Sequence, residues 1–264
     1  MNAPLPVVPT SDPLLRCDVD GVATLTLNRP RQYNALSEGL LSALQSALDA
    51  IAVDPSVRVV VIAAEGAAFC AGHDLKEMMG DPRPERISAL FAQCGRMMLS
   101  LPALPQPVIA KVHGLTTAAG LQLVAQCDLA IASDTARFAA SGINLGLFCA
   151  TPSVPLSRAV LRKHALELLL TGDFVDAARA AEIGLVNRAV PAGSLDAEVA
   201  RLADAIKGKP RESIAMGKSL FYRQIEGGLA AAYDDAAAIM ACNFMHRDAS
   251  EGITAFIEKR PPVW

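Results

Sequence analysis

Three short, nearly unbroken aliphatic runs constrain this chain most: VRVVVIAA (57–64), VIAKV (108–112) and DLAIAS (128–133). A strand with one wet face alternates apolar and polar side chains. A strand covered on both faces reads as a continuous apolar run, as in a parallel sheet. VATLTL (22–27) sets Thr24 and Thr26 against Leu25 and Leu27, so it reads as a half-buried strand, ended by Asn28, Arg29 and Pro30. Leu40, Leu41, Leu44, Leu48 and Ile51 recur at helical spacing, with Pro55 just beyond, and Ala118–Gln126 reads as a helix between two of the buried strands. Strand and helix alternate to about residue 150, which predicts an α/β fold built from βαβ units. From Leu156 onward the periodic segments all read as helical. Ser194 is the expected N-cap of 195–207, with Gly208 and Pro210 as its stop. The expected organisation is a loose lead-in at 1–13, an α/β core at 14–195 and a helical region at 196–264.

Charge and composition narrow the function classes. A net charge of −3 leaves no basic surplus to grip nucleic acid phosphates. No apolar stretch reaches the roughly 18 residues of a membrane span. The six cysteines form no CxxC pair and lack zinc-ligand spacing, and His113, His164 and His246 lack metal spacing too, so no metal is expected. Reduced thiols and a start without a basic, apolar leader point to a cytoplasmic protein, with the mitochondrion left open.

Two turns are built to meet a ligand with their backbone. In AAEGAAFCAGHDLKEM (63–78) a buried strand runs into small residues and then a helix, and the N–H of Ala71 is placed to face a ligand oxygen. In HGLTTAAGLQL (113–123) a helix begins near Ala118. Its first N–H groups have no internal partner, so the N–H of Ala119 suits a developing oxyanion. Each turn alone is equally readable as a plain βα connection. A dinucleotide site is excluded because EGAAFCAG is not GxGxxG.

These segments together resemble the crotonase (enoyl-CoA hydratase/isomerase) superfamily. The likeness runs over roughly residues 14–260 and includes LNRPRQYNAL (27–36), FCAGHDLKEM (69–78), PVIAKVHG (107–114), INLGL (143–147) and EGITAFIEKR (251–260). The resemblance implies a crotonase-like spiral of ββα units with a C-terminal helical trimerisation region, assembling as a homotrimer or hexamer. It implies an acyl-CoA thioester as ligand, with coenzyme A as part of the substrate and no separate cofactor. Carried over by position, Ala71 and Ala119 supply the oxyanion N–H groups, and Arg31, Ala71, His73, Leu75 and Lys259 lie toward the coenzyme A, Lys259 toward a neighbouring subunit's site.

The chain departs from that family where hydration is done. The two positions that carry glutamates in the family's hydratases are Gln122 and Gly142, and an acidic position used by some isomerases is Ala150. Gln cannot accept a proton at neutral pH. Each missing acid or base is worth about 10²–10⁴ in rate. Ordinary enoyl-CoA hydration is therefore not expected to be efficient. His73 is the foremost stand-in, since imidazole titrates near neutrality, and a water held by Gln122 is the other. Asp74 reads as a helix cap and Asp128 as a structural residue, while Cys149, Thr151 and Ser141 lack the neighbours of a nucleophile. The expected function is an acyl-CoA-binding lyase, isomerase or thioester hydrolase. The rival is a non-catalytic acyl-CoA-binding or partner-binding protein.

Overall fold

The computed structural model describes residues 12–264, so the lead-in expected at 1–13 falls almost wholly outside the described residues. The chain opens with β1 (Leu14–Val19), β2 (Val22–Leu27) and α1 (Glu38–Ala52). Three ββα repeats follow. The first is β3 (Val59–Ala64), β4 (Ala68–Cys70), α2 (Leu75–Gly80) and α3 (Pro84–Ala103). The second is β5 (Val108–Val112), β6 (Leu115–Thr117) and α4 (Ala119–Gln126). The third is β7 (Leu129–Ser133), β8 (Arg137–Ala139), α5 (Ala150–Ala159) and α6 (Arg162–Thr171). Then come β9 (Val175–Asp176), α7 (Ala177–Glu182), β10 (Arg188–Val190), α8 (Leu195–Lys207), α9 (Arg211–Gln224), α10 (Leu229–Phe244) and α11 (Arg247–Glu258).

Each repeat gives its first strand to one sheet and its second to another. The larger sheet runs β1-β2-β3-β5-β7-β10, parallel except for the β1–β2 pair, and the smaller runs β4-β6-β8-β9. That is the ββα spiral expected from the resemblance. The aliphatic runs are buried for the reason their pattern implies: alternate residues face opposite covered sides. Val60, Ile62, Val108, Ala110, Ala130 and Ala132 join the main core with Leu40, Leu44, Leu48 and Met97. Val59, Val61, Ile109 and Ile131 face the other way and are covered by Leu195, Val199 and Ala203 of α8. A helix placed by sequence in the C-terminal region thus roofs the second face of the core sheet.

α1 starts where Ser37 accepts a hydrogen bond from Leu40 N at 3.2 Å, and it buries the five apolar residues that marked it in the sequence. The expectation of helix alone after Leu156 is corrected by β9 and β10. At two and three residues they are too short to display an alternation. Ser194 precedes α8 as expected, but its side chain makes no cap bond. Its backbone is already helical (φ −104°, ψ −5°) because it closes the 3-10 turn Ala192–Ser194.

Three helices fill 211–258, and α9 is tied to the core by a buried cluster. Lys218 Nζ donates to Asp128 Oδ2 (2.6 Å), Leu101 O (2.8 Å) and Gln106 O (2.9 Å). Tyr222 donates to Asp128 Oδ1 (2.8 Å), and Val108 N donates to Asp128 Oδ2 (2.6 Å). Asp128 is thus the structural residue its position suggested. No described helix is long and apolar enough to cross a membrane.

Candidate active site

The strands of both sheets deliver their following loops to one region, where β4 meets α4. Gly120 makes that contact close: a Cβ there would lie 2.1 Å from Cys70 O. Gly72, at φ +97°, brings its turn equally near, and a Cβ there would lie 2.9 Å from Ala118 Cβ and 3.3 Å from Ala119 N. The two turns singled out in the sequence therefore sit side by side.

The donor on the first turn is one residue pair further along than expected. Ala71 N donates to Tyr33 O at 3.0 Å, so that amide is already used. Leu36 N bonds Gly72 O and Asp74 N bonds Leu36 O, which turns the intervening His73 N–H away from this ladder and leaves it without an acceptor among the described residues. His73 replaces Ala71 as the free amide. On the second turn Ala118 N donates to Ala139 O, and Ala118 adopts φ +48°, ψ −116°, a strained conformation for a non-glycine residue. Ala119 then begins α4 with its N–H unpaired, as expected.

These amides open onto an apolar cavity of about 410 Å³ walled by Leu75, Met78, Phe91, Leu145, Phe148 and Pro152, with His73, Ala119, Gly142 and Cys149 also facing it. Among the described residues no carboxylate lines it. The His73 ring meets Phe91 edge-on at 5.2 Å, and neither ring nitrogen has a hydrogen-bond partner among the described residues. Burial pushes its imidazole pKa down, offset only in part by the Leu36 backbone, which is not in hydrogen-bonding geometry. The Cys149 thiol is pushed up by burial, with the Gly142 backbone pulling the other way.

The remaining expected site residues are scattered. Gln122 is only 4% exposed, does not line the cavity, and leaves Oε1 unpaired. Leu75 lines the cavity directly. Arg31 sits exposed on the 3-10 turn Pro30–Gln32, and Lys259 lies exposed at the end of α11, neither of them on the cavity wall. At Gly142 a Cβ would fall 2.7 Å from Leu147 O and 2.8 Å from Cys149 Sγ. Asp74 caps α2 through Glu77 N at 3.2 Å and pairs with Arg29 at 2.9 Å. Burial raises its pKa, but the Arg29 hydrogen bond and charge, with the Glu77 and Lys76 amides, hold it below the usual carboxylate range.

Two supports escaped the sequence reading. Phe91 comes from α3, whose Leu90, Cys94, Met97 and Leu101 are spaced as a buried helical stripe. Asn34, fully buried at φ +54°, donates to Glu65 O and Ala68 O (both 2.8 Å) and accepts from Arg29 N (2.8 Å), clamping the 28–36 turn onto β4. Asn34→Ala orphans all three groups and is expected to cost about 1–3 kcal/mol for each buried group that water cannot reach. Chemical denaturation measures the loss, and an unchanged midpoint would refute the clamp.

A ββα spiral whose two closely packed turns line an apolar cavity defines a crotonase-fold protein. The chain belongs to the enoyl-CoA hydratase/isomerase family, whose sequence profile, described as "Enoyl-CoA hydratase/isomerase", matches residues 18–264. It is 43% identical over 261 residues to the enoyl-CoA hydratase domain-containing protein 3, mitochondrial, of Rattus norvegicus, covering 98% of this chain and 87% of the relative. Among solved structures, an enoyl-CoA hydratase of Mycobacterium smegmatis superposes with a TM-score of 0.94 at 57% identity, over 96% of this chain and 98% of that one. The human enoyl-CoA hydratase domain-containing protein 3 superposes with a TM-score of 0.92 at 43% identity, over 96% of this chain and 100% of that one.

Proposed function

We propose that this protein binds an acyl-CoA thioester and polarises its carbonyl between the N–H groups of His73 and Ala119, for a reaction other than ordinary hydration. The observation that carries this reading is that two adjacent turns bring amides unspent among the described residues to a cavity that no described carboxylate lines. Such donors in a water-poor site stabilise an oxyanion strongly, each typically contributing about 2.7–4 kcal/mol in the transition state. The apolar walls suit an acyl chain. Arg31, exposed beside the site's supporting turn, and Lys259, exposed at the end of α11, are suited to the coenzyme A phosphates, Lys259 from a neighbouring subunit. The exposed Phe221, Leu229, Tyr233, Met240 and Phe244 of α9 and α10 favour self-association as a trimer or hexamer.

One observation favours the rival, a thioester binder without chemistry: Gln122 is not among the residues lining the cavity, and α4 brings no acid or base to it. Calorimetric titration with butyryl-CoA and a hydration assay with crotonyl-CoA test the proposal together. Saturable binding is expected, with hydration slower by at least about 10²-fold than in family members carrying both glutamates. Hydration at the rate of those members would refute it.

A further inference from the structure

We infer that the cavity takes an uncharged, apolar acyl chain of about 8–12 carbons, so that the protein selects medium-chain over short-chain thioesters. The inference rests on the thioester reading above and names the acyl group that reading leaves open.

The walls define where a chain runs. Ala119, at the start of α4, lines one side of the cavity and offers its N–H to the carbonyl oxygen. Leu75 and Met78 of α2 and Phe91 of α3 form a second side. Leu145 of the 3-10 turn Ser141–Leu145, Phe148 of the loop after it and Pro152 of α5 form a third. A chain whose carbonyl meets Ala119 therefore lies between two apolar walls. Among the described residues none that lines the cavity carries a charge. Gly142 has no side chain, and burial favours the neutral forms of His73 and Cys149. An acyl group ending in a carboxylate would be desolvated there without a partner, whereas methylenes lose nothing by leaving water.

Size sets the chain length. A dry apolar cavity of about 150 Å³ holds one six-carbon ring. The cavity here, about 410 Å³, offers between two and three times that space, or about 16 carbons' worth. The thioester and the adjoining end of coenzyme A take part of it, which leaves about 8–12 carbons. A four-carbon chain leaves most of the apolar wall facing water. The opening continues the same surface, because Leu145, Leu147 and Phe148 line the cavity and are also exposed. Apolar side chains clustered at one opening mark a ligand groove, unlike apolar residues scattered singly. A chain long enough to reach them covers them, and each methylene fully buried in this way is worth about 4-fold in affinity.

The test is calorimetric titration with butyryl-, hexanoyl-, octanoyl-, decanoyl-, dodecanoyl- and tetradecanoyl-CoA, each below its micelle concentration. Affinity is expected to rise by about 3–4-fold per methylene at first and to level off by about twelve carbons, with one site per chain. Phe148→Ala trims an exposed residue of the rim and is expected to weaken decanoyl-CoA by about 3–10-fold and butyryl-CoA by less. Val53→Ala, at an exposed position just beyond α1 and off the cavity wall, is expected to leave the whole series unchanged. Wild-type affinity that stays flat or falls from butyryl- to decanoyl-CoA would overturn the chain-length assignment and leave the thioester reading standing. A rising series that Phe148→Ala does not flatten, or more than one site per chain, would place the acyl group on another apolar face and overturn the assignment as well. No binding of any ester would overturn the thioester reading, and this inference with it.

Discussion

Lys218→Met is expected to lower the free energy of unfolding by about 3–5 kcal/mol, the cost of leaving a buried charge without its partner. Lys218 is 7% exposed in its side chain, and its three ammonium hydrogens go to Asp128, Leu101 O and Gln106 O. Burial pushes its pKa down, while Asp128 pulls it up. Removing the ammonium strands the Asp128 carboxylate with only the Tyr222 hydroxyl and the Val108 amide, and frees the carbonyls of Leu101 in α3 and of Gln106 before β5. Guanidinium unfolding at matched protein concentration measures the effect. The double variant Lys218→Met/Asp128→Asn removes both charges and is expected to recover much of the loss. A single-variant loss below about 1 kcal/mol, the worth of an exposed ion pair, would show that the cluster does not hold α9 down.

The second large effect falls on the ligand site. Gly72→Ala puts a methyl group 2.9 Å from Ala118 Cβ and 3.3 Å from Ala119 N, in a backbone at φ +97° that alanine resists. The turn must retreat, and the His73 and Ala119 amides part. Such a donor is typically worth about 2.7–4 kcal/mol to a developing oxyanion, and the affinity for butyryl-CoA, measured by calorimetric titration, is expected to fall with it. Overpacking is expected to lower stability by about 1–3 kcal/mol as well. Gly95→Ala is the control, because a Cβ there meets nothing within 4 Å and Gly95 lies within α3. It is expected to raise stability by about 0.5–1 kcal/mol and leave the affinity alone. Equal affinity in both variants would separate the turn from thioester binding.

Much of the scaffold was legible because burial writes itself into residue type. Val59–Ala64 and Leu129–Ser133 had to be covered on both faces, and α1 showed its stripe of leucines. The β9 and β10 segments were not legible, because two or three residues carry no period. The free amide at His73 was misread as Ala71 for a related reason. Which N–H points outward depends on the bridge between Leu36 and His73, a pairing of residues 37 positions apart that no local pattern records. The seclusion of Gln122 was equally hidden. Its place on α4 was plain, but which wall of the helix meets the cavity was not.

The crowding at Gly142 bears on how this lineage can change. Any first carbon of a side chain there meets Leu147 O at 2.7 Å and Cys149 Sγ at 2.8 Å. Trimming Cys149 clears the sulfur, but the carbonyl belongs to the main chain and stays. A glutamate at position 142 therefore needs the segment from 145 to 149 rebuilt around it, so a single substitution does not fit a hydrating acid into this pocket.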